Sequence, residues 1–215
     1  AYASCYIGEK ERGKELYMEL INEGHALSMN NYACALSDPE EQAMWFKKAA
    51  DKGDDYGMWN LGRFYRDGKG VEKDSEKAVE YLTMSSNRGN SGPMLDLAKM
   101  YRYGNGVTID GELAISWYEK ALKKASEKDE EKYKENAIEA ILALAEIYAE
   151  GKIVPVDIEK SIHYYKVAAE KDNSQALFKL GEIYEEGHGV QQNIDKAIYW
   201  YRKAANQGNN NAKES

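Results

Sequence analysis

Three histidines, two cysteines and the Gly-x-Gly loops are the residues whose types could do chemistry in this chain. Their spacing argues against it. His25, His163 and His188 fall at a helix start, inside a helix and in a glycine loop. A protein metal centre draws on ligands at short, regular intervals, and neither H-E-x-x-H nor C-x-x-C occurs. His188 stands between Gly187 and Gly189, the setting of an exposed loop residue. Cys5 and Cys34 are far apart and follow no pattern, so they read as buried or free thiols. Gly104-Asn105-Gly106 and Gly187-His188-Gly189 are not phosphate cradles. A cradle follows a strand and opens a helix, whereas these loops close one. No nucleophile–base pair emerges. Catalytic residues, metal and cofactor are all expected to be absent, and the chain is not expected to be an enzyme.

What is regular is the frame. Leu180, Gly181, Tyr184, Gly187, Gly189, Val190, Asn193, Ala197, Tyr201 and Gly208 have counterparts in Leu61, Gly62, Tyr65, Gly68, Gly70, Val71, Asp74, Ala78, Tyr81 and Gly89. Copies open at Gly57, Pro93, Ala140 and Ala176. Self-similarity at a period of about 36 residues is the mark of a solenoid. Each repeated position has a mechanical reason. The leucine and the tyrosine four residues on share one face of a first helix. The small residue after the leucine (Gly62, Ala98, Ala145, Gly181) admits a second helix at close range. Glycine in mid-helix costs about 1 kcal/mol against alanine, so its use there implies packing. Gly68, Gly104, Gly151 and Gly187 stand where a left-handed residue closes a helix. Asp74, Asp110, Asp157 and Asn193 stand where the second helix needs an N-cap. Glu76, Glu112, Glu159 and Asp195 then sit at the positive end of its dipole. Tyr81, Tyr118, Tyr165 and Tyr201 are expected to fill the seam between the two helices.

With these residues in place, the pattern A-x3-L-G-x2-Y-x2-G-x-G-V-x2-D-x2-K-A-x2-W-Y-x-K-A-A-x2-G resembles the Sel-one-like repeat (SLR), a relative of the tetratricopeptide repeat. Residues 176–208 match nearly throughout, with Asn193 in place of the aspartate. The resemblance covers most of the chain. It implies an all-α fold, a right-handed α/α superhelix of about five tandem helix-turn-helix repeats, the terminal ones partial. It also implies a role in assembling other proteins. Some secreted members of the family bridge the helices of each repeat by regular cysteine pairs, and two irregular cysteines do not fit that habit.

The reading of the chain is a partial repeat at 1–22, with Leu16, Tyr17, Leu20 and Ile21 as an apolar stripe. A degenerate repeat follows at 23–56, then repeats at 57–92, 93–139, 140–175 and 176–211. Residues 212–215 would start a further one. Two irregularities stand out. The repeat at 93–139 carries extra, strongly helix-forming residues at about 123–137. They are expected to lengthen two consecutive helices into a hairpin, either a solvated spur or a contact element. In the repeat at 140–175, Ile153 replaces the second loop glycine, and Asp172-Asn173 replaces the closing one, with asparagine expected to tolerate the left-handed conformation.

Composition sets limits. The net charge of −8 opposes nonspecific binding to nucleic acid or anionic membrane. Charged residues make up 31% and mean hydropathy is −0.74, yet 17 tyrosines recur on schedule, which is the composition of packed helices rather than of disorder. No apolar run approaches the roughly 20 residues that span a bilayer. The sparse cysteines favour a cytoplasmic setting. The chain opens without methionine and ends where another repeat would begin, as expected of a piece of a longer protein.

Function is then expected on a surface. In tetratricopeptide-like repeats the first helix of each pair lines a concave groove. Counting from the anchor leucine, the groove positions are Trp59, Arg63 and Arg66, with Tyr56 nearby. The next repeats add Leu95, Lys99, Arg102 and Tyr103, then Leu142 and Glu146, then Phe178 and Glu182. Trp59, Leu95, Leu142 and Phe178 would form an apolar ladder. Arg63, Arg66, Lys99 and Arg102 would attract an acidic segment of a protein or peptide partner, while Glu146, Glu150, Glu182, Glu185 and Glu186 gather at the other end. The bland alternative is that the ladder packs internally and the charges are solvated. A non-catalytic adaptor, monomeric in isolation, is the expected function. The alternatives are the regulatory or targeting arm of a larger enzyme, a secreted bacterial host-interaction protein, and a self-assembling module.

Overall fold

Helix after helix opens and closes with the same chemistry. The computed structural model describes residues 12, 13, 15–127 and 131–213. Residues 15–22 are helical (α1), and ten further helices follow. The first helix of each pair is α2 (Ala26–Ala35), α4 (Asp55–Asp67), α6 (Ser91–Tyr103), α8 (Glu131–Glu150) and α10 (Ser174–Glu186). The second is α3 (Pro39–Asp51), α5 (Ser75–Ser86), α7 (Gly111–Ser126), α9 (Ile158–Ala169) and α11 (Ile194–Asn206). A 3-10 turn at Asn211–Lys213 follows, and there is no strand among the described residues. The described residues fall into two compact units, one within Ala1–Met100 and Gly104–Thr108, the other within Tyr101–Tyr103 and Ile109–Ser215.

The caps stand where the spacing puts them. Asp38, Asp74, Asp110, Asp157 and Asn193 each accept a hydrogen bond from the backbone N–H three residues on. Three of the first helices are capped in the same way or nearly so, by Asp54, Asn90 and Asn173. Such a side chain satisfies one of the orphan amides of a first turn and stabilises it by about 1 kcal/mol. Gly68, Gly104 and Gly187 close their helices with φ near +70°. In the repeat without a closing glycine, Asp172 takes the left-handed conformation (φ 56°) and Asn173 caps α10. The assignment of that strain to asparagine is therefore corrected by one residue, because the amide side chain is needed at the cap. The stripe expected on α1 is also narrower than the sequence suggests. Ile21 is buried and Tyr17 packs against it, but Leu16 and Leu20 are exposed.

The seam is made by the eighth residue of each second helix. Phe46, Leu82, Tyr118, Tyr165 and Tyr201 occupy it, and all are buried. Tyr81 is thus not the seam residue of its repeat. It lies one position early, half-buried and stacked on Tyr65 at 5.8 Å, while Leu82 fills the place. A Cβ on Gly62 would come within 2.9 Å of Leu82, and one on Gly181 would run into the ring of Tyr201. The small residue after the anchor leucine is small for this reason.

A second regularity joins successive repeats inside each unit. The second loop glycine lies against the first residue of the preceding second helix. Gly70 meets Pro39, Gly106 meets Ser75, and Gly189 meets Ile158, leaving no room for a side chain. All three glycines have φ between 66° and 81°. Where the loop carries Ile153 instead, the opposing helix starts with Gly111, whose missing Cβ makes space for the Ile153 carbonyl and for Val154. The glycine has changed sides of one contact. Gly111→Val is expected to destabilise the second unit by about 2 kcal/mol, since overpacking against backbone forces a shift. Ile153→Gly in the same chain should recover part of this by freeing the loop to turn left-handed. Urea unfolding followed by tryptophan fluorescence reads both.

The insertion lengthens two helices. α7 has 16 residues and α8 has 20, against 12 in α9 and 13 in α10. Residues 128–130 lie outside the described region. The described part of the extension is not merely solvated. Ala125, Tyr133 and Ala137 are buried together, with Leu122 packed against them.

Candidate protein-interaction surface

In the first unit, α4 and α6 bring their groove positions around one carboxylate. Asp96 accepts a hydrogen bond from the Trp59 indole N–H at 2.6 Å and from Arg66 at 3.0 Å, and Arg63 approaches it to 3.9 Å. Arg66 is also bonded to Asp67 at 2.7 Å. The Trp59 ring lies edge-on to Gly92, where a Cβ would collide with it, and 6.4 Å from Tyr56. Trp59 is half-buried, Lys99 is half-buried, and Arg63 is exposed. Leu95 is 4% exposed, so it belongs to the core and not to a groove. Its neighbour Asp96 takes the outward position, because a helix turns about 100° per residue and the two cannot face the same way. Sequence reasoning overlooked Asp96. A carboxylate one residue before the anchor leucine, within reach of two arginines on the preceding first helix, is the signal that could have found it.

In the second unit, Arg102 is the centre. It is 8% exposed, bonded to Glu146 at 3.1 Å and 3.8 Å from Glu150. Its guanidinium stands against the Tyr118 hydroxyl, whose pKa burial pushes up to about 12. Tyr103 beside it is 56% exposed, with the guanidinium 5.1 Å from its ring. Folding therefore leaves less of the basic cluster available than the sequence suggests. Arg66 and Arg102 are neutralised by carboxylates of their own chain.

Leu142 and Phe178 do not form an open ladder. Both are half-buried against the core, Phe178 with its ring 5.3 Å from Tyr201. Glu182 faces a cavity of about 400 Å³ together with Glu146, Glu150, Glu186, Ala149, Tyr165 and Ile183. Lys179 and His188 complete its rim, Lys179 at 2.7 Å from Glu182 and His188 at 2.8 Å from Glu186. Burial, followed by the nearby charges of Glu146, Glu182 and Glu150, raises the Tyr165 hydroxyl far above the usual tyrosine range.

Other candidates resolve simply. Cys34 is an exposed free thiol, and Cys5 lies outside the described residues. His188 is exposed. Among the described residues no cluster of histidine, cysteine and carboxylate could hold a metal ion, and no helix is long and apolar enough to cross a membrane.

Tandem helix pairs closed by glycine, capped by aspartate and bearing charge on their first helices define an α-solenoid of the tetratricopeptide-like class. The chain belongs to the Sel1 repeat family, whose profile matches residues 28–54, 55–90, 94–126, 138–173 and 174–209. Sel1 repeats generally serve as protein-interaction scaffolds. Among solved structures, the chain is similar to a protective antigen of uropathogenic Escherichia coli strains that displays an SLR fold (29% identity, TM-score 0.75). That match covers 93% of this chain and 42% of the antigen. A Sel1 repeat protein from Oxalobacter formigenes is similar at 27% identity and TM-score 0.68, covering 94% of this chain and 86% of that one. A Sel1 repeat protein from Klebsiella pneumoniae shares the fold at 21% identity and TM-score 0.55, covering 94% and 96%. This chain thus spans less than half the length of the Escherichia coli antigen. No curated protein matches it.

Proposed function

We propose that the chain is a non-catalytic scaffold that holds a partner protein along the outward residues of its first helices. The observation that carries this reading is the cavity of the second unit, built by carboxylates from the first helices of two successive repeats around a tyrosine from the second helix of one. A surface assembled from one helix per repeat suits an extended or helical partner segment. In the first unit the candidates are Tyr56, Trp59 and Arg63. Arg63 alone of the three groove arginines keeps an exposed side chain and only a long 3.9 Å contact, so an acidic residue of the partner would meet the first unit there. In the second unit they are Tyr103, Glu150, Glu182 and Glu186.

The test is capture from a lysate of the source organism by the immobilised chain. A face variant (Arg63→Glu, Tyr103→Ala and Glu186→Lys) is compared with a control altered on exposed second-helix positions (Glu80→Lys and Arg202→Glu), after circular dichroism shows equal helicity. A protein held by the wild type and the control, and lost by the face variant, is the expected result. Equal retention by all three, or no capture at all, overturns the reading.

A further inference from the structure

The cavity of the second unit repeats, one repeat later, a site that the chain fills for itself. Arg102 lies five residues after its anchor leucine, Leu97. It is buried against the seam tyrosine of its own repeat, Tyr118, and against Glu146 and Glu150 of the next first helix. The same register in the following repeat has Ala149 after Leu144, the seam tyrosine Tyr165, and Glu182 and Glu186 on the next first helix. Tyrosine and both glutamates are kept, and the arginine is an alanine. Those residues line the cavity of about 400 Å³.

The hydroxyl records the missing partner. Tyr118 has Arg102, and Tyr201 donates to Glu185 at 2.5 Å. Tyr165 is 4% exposed, lines the cavity, and makes no hydrogen bond among the described residues. Lys179 and His188 pair with carboxylates of the rim and not with it, so the hydroxyl opens on the cavity. A hydroxyl that faces the cavity can accept from a bound donor without giving up a bond within the chain. Glu146 and Glu150 also meet Arg102, and Glu150 meets Lys152, yet four carboxylates against Arg102, Lys152 and Lys179 keep the surroundings net negative, which favours a cationic donor.

We propose that this cavity receives an arginine side chain of a partner protein. Guanidinium has several donors in a planar fork, so one group can reach the Tyr165 hydroxyl and carboxylates from both first helices at once. The proposal rests on the scaffold reading and supplies the chemistry of the partner at one place.

The probe is a short fluorescein-labelled Gly/Ser peptide carrying arginines, beside the same peptide with citrulline, read by fluorescence anisotropy. The wild type should bind the arginine peptide at least tenfold more tightly than the citrulline peptide. Tyr165→Phe should weaken binding about tenfold, the scale of one charge-assisted hydrogen bond. It should leave thermal unfolding unchanged, because the hydroxyl bonds nothing in the free protein. Ala149→Arg should place the missing side chain in the same chain, abolish peptide binding and raise the melting temperature. Glu170→Gln shifts the net charge by the same single unit as Ala149→Arg, from an exposed position outside the cavity, and should leave binding intact.

If Tyr165→Phe binds like the wild type, or if the control loses as much affinity, attraction is only diffuse and the subsite is overturned. Ala149→Arg that still binds the peptide overturns it too. Capture of a partner by the first-helix face, unaffected by Tyr165→Phe and Ala149→Arg, would sink the arginine subsite alone. Specific peptide binding with no partner captured would sink the scaffold reading alone.

Discussion

Gly181→Val is expected to unfold the second unit at temperatures where the unaltered chain remains intact. The anchor leucine beside it, Leu180, is completely buried, and Gly181 lies directly under the ring of Tyr201. A single Cβ at this position would already collide with that ring, and valine adds two methyl groups. The ring has little freedom to move. It is 7% exposed, stands 5.3 Å from Phe178 and is tied by its hydroxyl to Glu185. α10 and α11 must therefore separate, and the cost should be about 3 kcal/mol, the upper part of the range for overpacked cores. For a unit of this size that corresponds to a fall of roughly 10 °C in melting temperature. Alanine is already present at Ala145, the matching position of the preceding repeat, which is fully buried. Gly181→Ala should accordingly be the mild member of the pair. Differential scanning calorimetry of both variants checks the order, and equal melting temperatures for wild type and Gly181→Val would refute it.

Arg102→Met should be the most damaging change of charge. The Arg102 side chain is 7% exposed and that of Glu146 is 34% exposed, so the pair is largely shielded from water. Removing the guanidinium takes the positive charge away from the Tyr118 hydroxyl, on a side chain 1% exposed, and leaves Glu146 without its short contact. Breaking a fully buried pair costs about 3–5 kcal/mol, and the partial exposure of Glu146 brings the expectation to about 2 kcal/mol. Methionine keeps much of the packing volume, so the loss would report on the polar contacts. Lysine should not restore stability, because an ammonium group lacks the planar fork that meets a hydroxyl and two carboxylates together. By contrast Arg63→Met, at an exposed guanidinium 3.9 Å from its carboxylate, should change stability by less than about 0.5 kcal/mol. Urea denaturation of the three variants separates these cases.

The frame of the fold was legible because each of its signals is local. An N-cap needs one side chain and an amide three residues away, as Asp74 and Lys77 show. A closing glycine needs only its own left-handed backbone, as at Gly187. Residue type alone misplaces some positions. Tyr81 suggests a seam residue because it is a tyrosine, whereas the helix start places Leu82 there. Leu95 suggests a rung of the groove because it is apolar, whereas Asp96 beside it faces outward and collects the charges. The glycine exchanged between Gly111 and Ile153 lies across two repeats, and no window along the chain displays it.

The sequence by itself determined the all-helical repeat architecture, the family, the caps and the glycine stops, since all of these follow from interactions within one turn or one helix pair. Only the tertiary structure decided which charges are available. Arg66 and Arg102 are basic in the sequence, but folding sets each against carboxylates of another helix, and ion pairs between helices depend on distances that residue order does not encode. The same distances decided that one seam tyrosine, Tyr165, lacks the arginine that its neighbour Tyr118 has, because the register brings Ala149 to that place.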